Sequence, residues 1–472
     1  MGQLGEVLAW VVGVGAFVLG LGVSIALHEV GHLVPAKRFG VKVTQYMVGF
    51  GPTVWSRRRG ETEYGVKAIP LGGYVRMVGM YAPLTAVAQE RLDDEVAELE
   101  GGAAGEAAAR RRRRRPGPFA QMVSDAREMA AEEVVPGEEH RSFHSLSVPR
   151  RIVIMLGGPV VNLVIATLLL GAYITTTGLP ETVPTVSTVS QCVLPAGSTQ
   201  TECAPGDTPS PAAQAGLQPG DRILSVDGVA ADGDWTRVQD AIRAAAGRTV
   251  PVVVERGPEG SAQQLVLQAP VIANQVARLS SSGAVETAPD GTVLTDTVGF
   301  LGVTPTAELV EQPVTAVPGF VAEQTWNVAK IVLTLPQRMV GVAQAAFGSG
   351  ERDPNGPIGV VGVGRLSGEI ASSDLFTSTG QRVSAIVTVL GSLNLALFVF
   401  NLVPLLPLDG GHVAGALWEG LRRRVAALRG RPDPGPFDLA RLLPVTYVVT
   451  ALLIGMSVLL LYADIVRPIT LG

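Results

Sequence analysis

Four stretches of about twenty mostly apolar residues decide what this chain can become, because a segment of that length and character crosses the hydrocarbon of a bilayer as a helix. They are Val7 to Leu27, Ile152 to about Leu179, Ala385 to Val403 and Leu443 to about Ala463. Composition agrees. Of 472 residues, 47% are hydrophobic and 17% charged, whereas soluble globular chains carry nearer a quarter charged residues. The formal net charge of −5 excludes a generally basic nucleic-acid binder, and the apolarity excludes a mostly disordered chain. The 2 cysteines are too few for a disulfide scaffold or a cysteine-built zinc finger.

The charges between the apolar stretches give an orientation. No positive residue precedes Val7, and Lys37 and Arg38 follow the first stretch. It therefore reads as a retained helix rather than a cleaved leader. Arg57 to Arg59 and Arg110 to Arg115 lie between the first and second stretches, and Arg150 and Arg151 precede the second. Arg422 to Arg424 and Arg429 lie between the third and fourth. Positive charge is retained inside, so both loops are expected in the cytosol. In 180–320 acidic residues outnumber basic ones more than two to one, and that segment is expected outside. Four spans then put both termini outside, in a multi-pass protein of the cell membrane. Val321 to Val342 is long enough to cross, but Glu323, Lys330 and Arg338 are costly at mid-bilayer. An amphipathic segment on the outer surface fits better. Residues 82–142 are rich in Ala, Glu and Arg with no sustained apolar period, and are expected to be a mobile cytosolic insertion. Its arginine run reads as a topology and solvation feature or as a contact with anionic lipid.

The chemistry begins at the end of the first stretch. His28-Glu29-Val30-Gly31-His32 is H-E-x-x-H. On a helix the two histidines share a face and can hold one zinc, and the glutamate beside the first can take a proton from a water activated there. A catalytic zinc has three protein ligands and one open position. Asp409 is the candidate third ligand. It follows the apolar run of the third stretch and two prolines, at the same cytosolic depth as His28. His140 and His144 repeat the i, i+4 spacing, but Arg141 replaces the glutamate and the segment is polar. Those two histidines read as surface.

With these residues in hand, the chain resembles the site-2 proteases, zinc metalloproteases that cut within the membrane. It looks closest to the bacterial regulator-of-sigma-E type with a single PDZ domain. The resemblance rests on H-E-x-x-H, on Gly158-Pro159-Val160-Val161-Asn162, on Asn394, and on Asn401 through Leu408-Asp409-Gly410. One departure is that two leucines separate Pro404 from Pro407, where the family has P-x-P; this bears on loop shape. The resemblance implies one Zn2+ held by His28, His32 and Asp409, with Glu29 as catalytic base. Asn401 is expected to contact substrate, while Asn162 and Asn394 are either substrate contacts or interhelical hydrogen bonds. Gly49 to Val75 reads as short strands with glycine turns and resembles a membrane-reentrant β-hairpin. Gly73 and Tyr74 there would bind substrate, since an edge strand can hold an unwound helix extended. Gly356-Pro357-Ile358-Gly359 also resembles a family segment, without an assigned chemistry.

Pro211 to Gly228 carries the A-G-L-x-x-G-D-x-I-L signature of bacterial PDZ domains. Strands are expected at Ile223 to Val226, Val250 to Glu255 and Gln264 to Leu267, and a helix from Trp235 to Ala246. The domain would bind a trimmed C-terminus or exclude bulky ectodomains. Cys192 and Cys203 both fall in this extracytoplasmic part and are expected to pair, which is worth about 3 kcal/mol in the chain-entropy model.

The expected fold class is thus an α-helical polytopic membrane protein of four transmembrane helices, with a membrane-associated β-hairpin and an inserted extracytoplasmic α+β PDZ domain. The segments run 1–36 (first helix), 37–81 (hairpin), 82–142 (insertion), 143–180 (second helix) and 181–272 (PDZ). Then follow 273–382 (linker and amphipathic segment), 383–412 (third helix with L-D-G), 413–441 (basic loop) and 442–472 (fourth helix and tail). The expected partners are the lipid bilayer and single-span membrane proteins already shortened by a site-1 protease, commonly anti-sigma factors, with no nucleic acid. A non-catalytic PDZ adaptor with a structural metal is the alternative, but a decayed site should lack Glu29 or a ligand, and all four are present. A zinc transporter would need a continuous polar path, which the later spans do not offer.

Overall fold

A computed structural model of the protein describes residues 3–80, 134–135, 137–193, 203–204, 207–258, 260–277, 294–348, 352–354, 356–376, 378–437 and 439–470. The insertion expected at 82–142 lies outside the described residues up to 133. The chain divides into two compact units, Met1–Thr176 with Pro313–Gly472, and Thr177–Gln312 inserted between them.

Helix α1 (Gln3–Arg38) is longer than the first apolar stretch and continues past Leu27 through Pro35. It carries H-E-x-x-H in its last three turns and ends on Lys37 and Arg38, whose charge suits the carbonyl end of a helix. Strands β1 (Val43–Arg59) and β2 (Thr62–Met77) follow. Both fold back, so Met47 of β1 faces Gly65 on one side and Tyr74 on the other, and Val48 faces Val66 and Gly73. The Gly73 end of β2 therefore has β1 on one side and, among the described residues, no strand on its other edge. Two short 3-10 turns over Glu139–Arg141 and Phe143–Ser145 lie against this hairpin. Phe143 donates its amide to Val78, and Arg141 accepts from the Lys42 amide. His144, expected on the surface, is partly buried with Nδ1 3.1 Å from the Gly79 carbonyl oxygen, while His140 is exposed. Helix α2 (Val148–Thr176) crosses α1 where both are glycine. A Cβ on Gly31 would lie 2.3 Å from the Gly157 oxygen, and one on Gly157 would lie 1.9 Å from the Gly31 oxygen.

The inserted unit contains β3 (Leu179–Val189), α3 (Pro211–Ala215), β4 (Arg222–Val226), β5 (Val229–Ala230), α4 (Trp235–Ala244), β6 (Thr249–Arg256), β7 (Gln263–Pro270), β8 (Ile272–Ala277), β9 (Thr295–Phe300) and β10 (Val303–Val310). One sheet runs in the order β10-β3-β4-β6-β7 with β5 on β4, and β8 pairs β9. Its core is Ile223, Val226, Val238, Val250, Val252 and Val254 with their neighbours. The A-G-L-x-x-G-D stretch is legible in structural terms. Gly216 closes α3 in the left-handed conformation, and buried Asp221 takes two 2.7 Å hydrogen bonds from Arg256 and the Gln218 amide. Cys192 and Cys203 are joined by a disulfide. The unit extends beyond the expected 181–272, because β10 returns to pair with β3 along its whole length.

The helical unit then resumes. Helices α5 (Val317–Leu333) and α6 (Leu335–Phe347) divide the expected amphipathic segment. Thr334 is the cap between them, and Pro336 falls in the first turn of the second, where its missing amide has no intrahelical partner to lose. Helix α7 (Val360–Ser372) lies along the N-terminal half of α1, with Gly13 against Ser367 and Gly368 against Trp10. Helix α8 (Thr379–Asn401) starts with a capping box from Ser378 and Gln381. Helix α9 (Asp409–Leu428) begins at Asp409 itself, and α10 (Leu443–Val466) completes the fold. Helices α1, α2, α8 and α10 are long and apolar enough to cross a membrane. The Gly-Pro-Ile-Gly segment has a structural use. Asp464 of α10 accepts from Arg352 (2.7 Å) and from the Gly362 amide (2.8 Å), and a Cβ on Gly359 would lie 2.6 Å from its Oδ2.

Candidate metal centre

Two elements distant in sequence converge. His28 and His32 lie on one face of α1, and Asp409 opens α9. His28 Nε2 and His32 Nε2 are 3.2 Å apart, and Asp409 Oδ2 lies 3.5 and 3.3 Å from them. A tetrahedral zinc with bonds of about 2.0–2.1 Å needs donors about 3.3–3.4 Å apart. The triangle of donor atoms has that size. Among the described residues, Asp409 Oδ2 has no hydrogen-bond partner outside this cluster.

Helix α2 fixes both rings. The His32 Nδ1–H donates to the Ile154 carbonyl at 2.8 Å, which leaves Nε2 with its lone pair toward Asp409. The fully buried Asn162 amide lies 3.0 Å from His28 Nδ1. With Oδ1 turned to the ring it accepts Nδ1–H, and His28 is held in the same tautomer. Gly158 makes the approach possible, since a Cβ there would lie 2.3 Å from His32 Nε2 and 2.7 Å from His28 Nε2.

A cavity of about 310 Å3 opens onto this cluster, lined by His28, Glu29, His32, Gly73, Tyr74, Asn401, Asp409 and His412 among others. Glu29 is buried at its wall. A Cβ on Gly73 would lie 2.8 Å from Glu29 Cγ, so β2 passes directly over the carboxylate. The structure thus brings His28, Glu29, His32, Asp409, Asn401, Gly73 and Tyr74 together, and sets Asn162 behind His28. Asn394 stands apart. It is fully buried and donates to Ser24 Oγ (2.9 Å) and the Leu390 carbonyl (2.8 Å), which joins α8 to α1.

Two residues escaped the sequence reading. His412 lies one turn after Asp409 and lines the cavity with Nδ1 buried and, among the described residues, without a partner. Its i+3 spacing from Asp409 was the available signal. Tyr46 of β1 donates its hydroxyl to the Ala26 carbonyl at 2.8 Å, and burial with Glu29 nearby pushes its pKa up to about 12. No sequence signal marked it.

The profile of peptidase family M50 matches residues 16–432. The chain belongs to this family. Similar proteins include zinc metalloprotease Rip1 of Mycobacterium bovis, 34% identical over 98% of this chain and 100% of the relative. Rip1 of Mycolicibacterium smegmatis is 33% identical over 98% of each. Zinc metalloprotease RasP of Geobacillus kaustophilus is 26% identical over 88% of this chain and 90% of its own length. As an M50 peptidase the chain is an intramembrane zinc metalloprotease, and the imidazole and carboxylate donors of His28, His32 and Asp409 suit zinc.

Proposed function

We propose that this M50 peptidase cuts peptide bonds within or near the transmembrane segment of single-span membrane proteins, with His28, His32 and Asp409 as zinc ligands and Glu29 as the catalytic base. The observation that carries the reading is the donor triangle, closed by helices from both ends of the chain, with Glu29 at the wall of the same cavity. Zinc bound there supplies Lewis acidity, which polarises a peptide carbonyl and makes water a nucleophile near neutral pH. Glu29 takes the proton from the attacking water and delivers it to the leaving amide nitrogen. A helical substrate has its carbonyls bonded internally and must unwind first. The free edge of β2 at Gly73 and Tyr74 receives the unwound chain by strand addition, directly above Glu29. Asn401 orients its backbone.

The hairpin region dips into the membrane on the cytosolic side, where water reaches the site. The unit Thr177–Gln312 is a PDZ-type domain outside the cell, together with both termini, as the charge distribution favours. It acts as a steric gate that admits substrates already shortened outside, anti-sigma factors being the expected class. The test is Glu29→Gln in full-length protein with a membrane-embedded substrate. Cleavage falls by about 10²–10⁴-fold while zinc content is kept. Undiminished cleavage would remove Glu29 as base, and absent cleavage in the parent as well would favour a non-catalytic adaptor.

A further inference from the structure

Helix α2 presents Arg151, Ile154, Gly158 and Asn162 on one face, since spacings of three and four residues return to the same side of a helix. Three of these serve the histidines directly. The fourth, Arg151, serves α9. Its guanidinium donates to Glu419 Oε1 at 2.5 Å, and the pair is sealed, with Arg151 5% exposed and Glu419 fully buried. Arg423 adds a 3.0 Å contact on the same oxygen, and the Phe437 amide donates to Oε2 at 2.9 Å. Glu419 stands ten residues after Asp409 on the same helix, about 15 Å along its axis.

We propose that Arg151 and Glu419 are positioning residues that set the axial register of α9 and so hold Asp409 against the two histidines. The proposal rests on Asp409 being a zinc ligand. Apolar contacts already dock the two helices, with Gly420 of α9 against Val148 of α2. Such contacts tolerate sliding. A slide of one residue moves a helix by 1.5 Å, whereas ligand distances at a metal are held within about 0.2 Å. A short hydrogen bond between buried charges has the directional stiffness the packing lacks. Stability is a poor reason for the pair, because well-packed apolar residues in place of a buried ion pair are often neutral or stabilising. Fixing a register is the best attested use of buried ionic groups.

The experiment measures zinc affinity of detergent-solubilised full-length protein by competition with a chromophoric chelator, together with the absorption spectrum of the Co2+-loaded form. Glu419→Gln and Arg151→Met each weaken zinc binding by about 10–100-fold, the effect of removing a supporting residue behind a ligand, and alter the Co2+ spectrum. The apolar pair Arg151→Met with Glu419→Leu keeps the parent's thermal stability and remains weakened; it carries the test if the single variants do not fold. In an Asp409→Ala background the same changes add nothing. Parental affinity in the apolar pair would show that docking alone suffices and overturn the proposal. So would parental affinity in Glu419→Gln beside a weakened Asp409→Ala. If Asp409→Ala itself binds zinc like the parent, the ligand assignment is what fails.

Discussion

At the His32 end of α1, Arg151 and Glu419 join segments 268 residues apart; nearer its start, Arg352 and Asp464 join segments 112 residues apart beside the helix that packs on Trp10. Both pairs are nearly dry, both are short, and each acid also accepts a backbone amide. Burial and distance therefore do not distinguish them. What differs is the cargo of the helix each one holds. Beyond Glu419 the chain leads back to Asp409 and the donor cluster. Beyond Asp464 it leads to α10 and the turn at Gly359 and Gly362. A buried ion pair is thus a statement about register, and its importance depends on what else shares that register.

The sharpest way to break the contrast is at Gly158, on the face that Arg151 shares. Gly158→Ala places a methyl 2.3 Å from His32 Nε2. Zinc affinity by chelator competition should fall more than about 100-fold, at or beyond the upper end of what loss of a ligand's supporting contact costs. Gly15→Ala, on α1 where a Cβ meets nothing within 4 Å, should leave affinity unchanged. Next comes the other pair. Arg352→Met leaves Asp464 buried without its cation and should cost about 3–5 kcal/mol in denaturant titration, yet zinc affinity should stay within about twofold of the parent. A loss of zinc in that variant would erase the distinction between the two ends. The smallest effect belongs to Tyr46→Phe. It removes one hydrogen bond to the Ala26 carbonyl and should cost about 1 kcal/mol in the same titration. Zinc content should be unchanged, since Tyr46 holds the hairpin rather than the donors.

Much of this was written in local pattern. The four spans follow from runs of apolar residues, and H-E-x-x-H names its own face of a helix. Asp409 could be singled out because it follows an apolar run that two prolines end. What escaped were partners supplied by other segments. Arg151 reads in sequence as one of two charges flanking a span, and Glu419 as one acid in a basic loop; only the crossing of α2 and α9 makes them a pair. Asn162 and Asn394 look alike in a list of membrane asparagines, yet one backs His28 and the other ties α8 to Ser24. After 272 the partners of the strands are again distant: β9 pairs with β8, and β10 returns more than a hundred residues to pair with β3. Thr334 and Pro336 carry an ordinary break signal, but the amphipathic pattern on either side masked it.

The single face of α2 has one last consequence. Each residue of an α-helix turns its neighbours by about 100°. One residue inserted ahead of Ile154 would swing Arg151 away from the other three; one removed between Gly158 and Asn162 would part the His28 backstop from the His32 clearance. No compensating change at a single position could repair either frame error. The spacing from 151 to 162 is therefore a ruler whose length matters more than most of the letters printed on it.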